Sequence, residues 1–161
     1  MVVGHLDANT IHVRDAGATI DAGAGCTPID AHNARCVLAD RPLTVARVET
    51  GDMNDRIRSF GNAPPVLDPE LIADGGPGDD ELIGGESADS LNGGGGGADR
   101  MLGAAGADVL QDGDVSGKND DDLLVGGPAV DTIVYELRSG AVELTLGDEK
   151  THGERGEGDT V

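Results

Sequence analysis

Six aspartates carry the chemistry most readily read from this chain: Asp80, Asp89, Asp99, Asp108, Asp122 and Asp131. Each is the sixth residue of a nine-residue pattern, Gly-Gly-x-Gly-x-Asp-x-(large apolar)-x, that recurs between Gly75 and Val134. Glycines at the first, second and fourth positions permit positive φ and close approach of neighbouring backbones, which turns carbonyl oxygens toward a common point. The sixth-position carboxylate adds formal charge to that oxygen cluster. A cage of six to eight oxygens suits a hard cation. The recurrence of the same neighbours around every Asp speaks against an acid/base pair, which needs two carboxylates in different environments.

The copies set the register. The first supplies Gly75, Gly76, Gly78, Asp80 and Leu82, and the second Gly84, Gly85, Asp89 and Leu91, with Ser87 in the fourth place. Gly93 intervenes before the third copy, which holds Gly94, Gly95, Gly97, Asp99 and Met101. The fourth follows directly with Gly103, Gly106, Asp108 and Leu110, Ala104 standing second. Asp112 to Ser116 break the register. It resumes with Gly117, Asp122 and Leu124 and closes with Gly126, Gly127, Asp131 and Ile133, Ala129 standing fourth. One short turn and one short strand cannot bury an apolar side chain alone, so the copies must stack into a solenoid with the eighth-position residues inside.

This signature resembles that of the RTX, or haemolysin-type, calcium-binding repeat proteins, strongly so over residues 75–134. The resemblance implies an all-β fold, a right-handed parallel β-roll (β-solenoid) in which two nonapeptides make one turn, here with a short N-terminal β-strand segment. It implies Ca²⁺ held between turn loops two copies apart, with carboxylates shared by the pairs Asp80 and Asp99, Asp89 and Asp108, Asp99 and Asp122, and Asp108 and Asp131. The glycines named above would complete the loops. It also implies a secreted, extracellular protein of bacterial origin. On the same basis Asp80 is expected at one end of its stack with a single partner, and Asp99 and Asp108 in the middle of theirs.

Composition agrees with a cation-binding role and excludes others. Thirty-one Asp and Glu against eleven Lys and Arg give a formal net charge of −20, which excludes nucleic-acid phosphate or an anionic membrane as a natural partner. Between Asp74 and Asp131 twelve Asp and two Glu face only Arg100 and Lys118, so assembling the loops without counter-ions is opposed by mutual repulsion. One Phe, one Tyr, no Trp and 27 Gly leave little apolar area to offset a chain entropy of roughly 1–2 kcal/mol per residue. No window approaches the roughly 20 apolar residues of a membrane helix, so no membrane insertion is expected.

Outside the array the signals are weaker. Residues 1–60 read as a β-rich leader: Val2-Val3 and Ile11 to Val13 form short strands around Asp7-Ala8-Asn9, and Leu43 to Val48 alternates as a strand. His5 and His12 lie here without a third ligand at useful spacing. Cys26 and Cys36, the only cysteines, fit a local disulfide of an exported protein; two reduced thiols are the alternative. Gly51 to Ile57, aligned on Asp55 and Ile57, looks like a degenerate repeat, a leading rung that holds no calcium. Residues 61–74 read as a linker loop with at most one helical turn from Pro69 to Asp74. Residues 135–161 read as a C-terminal β excursion, with Val142, Leu144 and Leu146 alternating, and Gly156 to Val161 as the start of a further rung.

Catalytic constellations are missing: the sequence has no His-Glu-x-x-His, no Gly-x-Ser-x-Gly elbow and no phosphate loop. The expected function is therefore a non-catalytic calcium-binding β-roll module of a secreted bacterial RTX-type protein that folds on Ca²⁺ binding. The alternative is the C-terminal export and folding module of a larger secreted enzyme or toxin; an acidic, Gly-rich disordered segment is a third.

Overall fold

The computed structural model describes residues 2–7, 10–14, 26–31, 33–37, 44–59, 69–113, 121–135, 151–152 and 159–160. It is all-β. Four N-terminal strands, β1 (Val2–Asp7), β2 (Thr10–Arg14), β3 (Cys26–Asp30) and β4 (Asn33–Val37), form an antiparallel sheet in the order β1-β2-β4-β3. Its register sets Cys26 opposite Cys36; the side chains of both, and those of His5 and His12, fall outside the described residues. The expected strand around Val142, Leu144 and Leu146 also lies outside them, as does Gly117.

The strands described between Val45 and Val134 lie in two parallel sheets. One contains β5 (Val45–Glu49), β7 (Glu70–Asp74), β9 (Ser90–Asn92), β11 (Val109–Gln111) and β13 (Thr132–Val134). The other contains β6 (Arg56–Arg58), β8 (Glu81–Ile83), β10 (Arg100–Leu102) and β12 (Leu123–Val125), extended by β15 (Asp159–Thr160) and β14 (Thr151–His152). Successive strands alternate between the sheets, so each winding takes two repeats and sets every residue above its counterpart two repeats earlier. The solenoid expected from the nonapeptide is thus present, and it begins before the first full repeat. Residues 70–74, read from sequence as the end of a linker with at most a helical turn, instead form β7, paired with β5 and β9. The tail strand β15 adds in parallel to β12 through Leu123 and Thr160.

Three-residue strands are a consequence of the nine-residue period. Only the central residue of each points inward, and these residues line up in two columns. Ile57, Leu82, Met101 and Leu124 form one; Val48, Ala73, Leu91, Leu110 and Ile133 form the other. All are buried except Ile133, which packs partly against the cluster. A core one side chain wide per strand explains the lack of aromatics. Arg56, Glu81 and Arg100 stack on the outer face of the second sheet, Glu81 paired with both arginines; such exposed pairs contribute about 0–1 kcal/mol each. Among the described residues no helix is long and apolar enough to cross a membrane.

Candidate metal centre

The turns between strands collect along the two edges of the solenoid. On one edge Asp55, Asp80, Asp99 and Asp122 form a column, each joined to the next by a backbone-to-carboxylate bond. On the other, Asp89, Asp108 and Asp131 stack above Leu71. The loops can pile this closely only where a Cβ is absent. Gly94, at φ +112, lies directly over the carbonyl of Gly76, and an added Cβ would strike that oxygen. At three positions that depart from glycine the backbone keeps its course: Met53, Ala104 and Ala129 hold φ values of 91, 75 and 106, each at a cost of order 1–3 kcal/mol.

The sixth-position carboxylates are inside the protein. Asp80, Asp89, Asp99, Asp108 and Asp122 are between 1 % and 4 % exposed, while Asp131 is half-buried. Burying an ionised carboxylate costs several kcal/mol unless it is hydrogen-bonded and compensated. One oxygen of each is satisfied by the backbone of the coil below. The N–H of Asp80 donates to Asp99 Oδ1 at 2.8 Å, that of Asp89 to Asp108 Oδ1 at 2.8 Å, that of Asp99 to Asp122 Oδ1 at 2.7 Å, and that of Asp108 to Asp131 Oδ1 at 3.0 Å. All four expected pairs are therefore brought together, through carboxylate-to-amide bonds running along the solenoid axis. The ladder extends one step further than expected: Asp55 N–H donates to Asp80 Oδ1 and Leu71 N–H to Asp89 Oδ1, both at 2.7 Å. Asp80 consequently has a partner on each side, which corrects its expected place at the end of the stack.

The second oxygen is the informative one. The Oδ2 atoms of Asp80 and Asp108 are buried with no hydrogen-bond partner. Asp80 Oδ2 and the carbonyl oxygen of Gly93 both lie 2.5 Å from the point where a Cβ on Gly75 would sit. Asp108 Oδ2 and the Gly126 carbonyl converge in the same way at Gly103, as do Asp89 Oδ2 and the Gly103 carbonyl at Gly84. Converging oxygens, with no donor to the carboxylate at Asp80 and Asp108, are the donor set of a hard cation. The residues present thus fit Ca²⁺: Asp80, Asp89 and Asp108 would hold it together with first-position carbonyls, and bound there it supplies positive charge to buried carboxylates. Asp89 Oδ2 also accepts the Gly85 N–H at 2.6 Å.

Burial pushes the Asp80 carboxyl from an ordinary 3.8 up to about 6; the Asp55 N–H opposes the rise, and the neighbouring Asp55 and Asp79 charges add to it. Burial likewise raises Asp108, against the pull of the Asp89 N–H and with the push of Asp131. A raised folded-state value means that the metal-free solenoid holds its proton more tightly than the unfolded chain does. That stabilisation is complete below about 4 and is lost as pH rises through about 6. In chelator, the far-UV β signature is expected to be larger at pH 4.5 than at pH 7 on account of this group. In calcium the dependence reverses, because protons and cation compete for the same oxygen. A chelator spectrum insensitive to pH between 4 and 7 would remove the assignment of these carboxyls as uncompensated.

Several positions differ from their place in the sequence reading. Gly93, taken as an intervening residue, occupies the first position of its loop: its Cβ point lies 2.5 Å from Asp99 Oδ2, as that of Gly75 does from Asp80. The extra residue therefore falls later in the glycine run, where Gly95 meets nothing within 4 Å. Asp112, placed in the register break, follows Gln111 as Gly93 follows Asn92, and is 1 % exposed. Gly113 lies over the Gly94 carbonyl. Asn54 and Asp79, fifth residues of stacked loops, exchange hydrogen bonds at 3.1 Å, a pairing that no single repeat signals.

No curated protein matches the chain. A family model does: residues 74–110 match the RTX calcium-binding nonapeptide repeat, in four copies. That match starts at β7 and ends within β11, inside the longer solenoid seen in the structure. The matched residues include Asp80, Asp89, Asp99 and Asp108, and residues 74–110 of this chain are RTX calcium-binding nonapeptide repeats, which bind Ca²⁺.

Proposed function

We propose that the chain serves as a non-catalytic calcium-binding β-roll of a secreted bacterial protein, and that Ca²⁺ binding drives its folding. The observation that carries this reading is the pair of buried, unpartnered oxygens, Asp80 Oδ2 and Asp108 Oδ2, each beside a backbone carbonyl. Their charge has to be met by something from outside the chain, and extracellular fluid is where calcium is abundant enough to do so through weak, carbonyl-rich sites, with Kd on the order of 10⁻⁴–10⁻³ M. Such sites also favour Ca²⁺ over Mg²⁺, whose small octahedral shell dehydrates reluctantly. Titration calorimetry is expected to show saturable binding of several Ca²⁺ per chain and little heat from Mg²⁺ at the same concentrations. Absence of saturable calcium binding would reject the function, and equal binding of Mg²⁺ would reject the cage.

A further inference from the structure

The coil that precedes the first full repeat is built like the repeats and differs at one decisive residue. Gly51 holds φ +93 and Met53 φ +91, as residues in the second and fourth places of later loops do. The Asp55 N–H joins the aspartate ladder, and Ile57 pairs in register with Leu82. Glu49 pairs with Asp74 and Asp74 with Asn92, so Thr50 stands where Gly75 and Gly93 stand one and two coils later. In those coils the first residue has no side chain. The space beside it separates the sixth-position carboxylate from the carbonyl of the next coil.

Thr50 fills that space. Its hydroxyl donates to the Gly75 carbonyl at 2.8 Å and approaches the Asp74 carbonyl at 3.3 Å. Gly75 O is the counterpart of Gly93 O, the carbonyl that converges with Asp80 Oδ2. A hydrogen-bond donor thus caps the Gly75 carbonyl, one of the two oxygens whose counterparts converge in the later coils. Further cation-independent bonds join these coils: the Met53 N–H donates to Pro77 O at 3.0 Å, and Asn54 and Asp79 bond reciprocally.

We infer that Thr50 closes the first cation position of the array, its hydroxyl doing for Gly75 O what an ion does in the later coils, so that coil 50–57 is stitched to the first repeat by hydrogen bonds alone. The inference rests on the calcium-binding reading of the repeats. It makes Thr50 the residue that sets where metal binding begins, and it makes Asp55 a carboxylate with the position of a ligand and no ion to hold.

The test is the calcium count by titration calorimetry and native mass spectrometry of the whole chain. Thr50→Gly is expected to bind one Ca²⁺ more than the parent, Thr50→Ser the same number as the parent, and Thr50→Gly combined with Asp55→Asn to lose the added ion. Asp55→Asn alone is expected to leave the parent count unchanged. A Thr50→Gly count equal to the parent's overturns the inference, and so does a lower count in Asp55→Asn, which decides the matter even where Thr50→Gly does not fold. A parent that binds no calcium rejects the repeat reading itself, and the inference with it.

Discussion

In chelator the far-UV circular dichroism of the repeat array is expected to lose its β signature and to regain it cooperatively as calcium is raised into the range of about 10⁻⁴–10⁻³ M. Five aspartates between 1 % and 4 % exposed are the reason. Each buried charge carries a desolvation penalty of several kcal/mol. Against it each three-residue strand buries at most one apolar side chain, which contributes only about 1.5–3 kcal/mol. The backbone bonds of the ladder satisfy one carboxylate oxygen, and at Asp80 and Asp108 the other has no hydrogen-bond partner. Without the ion the array is a chain of loops that repel one another; with it, closing one coil prepares the carbonyl surface for the next. Repeats that contact only their neighbours gain stability step by step along the stack, so the transition should sharpen with the number of ions bound. A spectrum identical in chelator and in millimolar calcium would show that the stacked backbone is sufficient and that the metal is a passenger.

The second large effect separates the two oxygens of a ladder aspartate. Asp99→Asn and Asp108→Asn keep a carbonyl oxygen able to accept the N–H of Asp80 or Asp89, and remove the charge that would hold the cation. Asp99→Ala and Asp108→Ala remove both, and leave a buried backbone N–H unpaired at a cost of about 1–3 kcal/mol. The Asn variants are expected to bind fewer Ca²⁺ and fold at higher calcium. The Ala variants should show the same loss of ions and a further rise in midpoint. Asp80→Ala belongs with them. From sequence Asp80 was expected to suffer less, as the end of its stack, whereas the structure gives it Asp55 below and Asp99 above. Calorimetric counts with calcium-induced folding curves decide the matter. Asn variants with the parent's count would mean that carbonyl oxygens alone hold the ion.

Much of the solenoid was legible because one letter recurs under a strong constraint. The sixth-position Asp and the eighth-position apolar residue fix which residues turn inward, and Leu82, Leu91, Met101, Leu110 and Leu124 are all buried as that frame requires. Within the run Gly93 to Gly97 the frame has no letters to hold it, because sliding by one exchanges glycine for glycine. Packing resolves it, through the approach of Asp99 to Gly93 and of Gly113 to the Gly94 carbonyl. The leading coil was visible only in Asp55 and Ile57. Thr50 and Met53 stand where glycine is the usual signal, and Met53 takes up φ +91 because the loops above and below hold it there. Strand β7 escaped notice for a different reason: its inward residues, Leu71 and Ala73, sit beside prolines that suggest a linker, and only the strands on either side of it reveal the parallel pairing.

The axial stacking of whole coils has a geometric consequence for anything joined to the two sides of the array. Neighbouring strands in a sheet are about 4.8 Å apart, so the advance from β5 to β13, through β7, β9 and β11, amounts to roughly 20 Å. The same stretch as a flexible, glycine-rich chain has a root-mean-square span of roughly 50 Å and a stretched length several times greater. Calcium would therefore act on this segment as a winch, drawing in slack chain and replacing a wandering tether with a short rod whose two ends point in fixed directions.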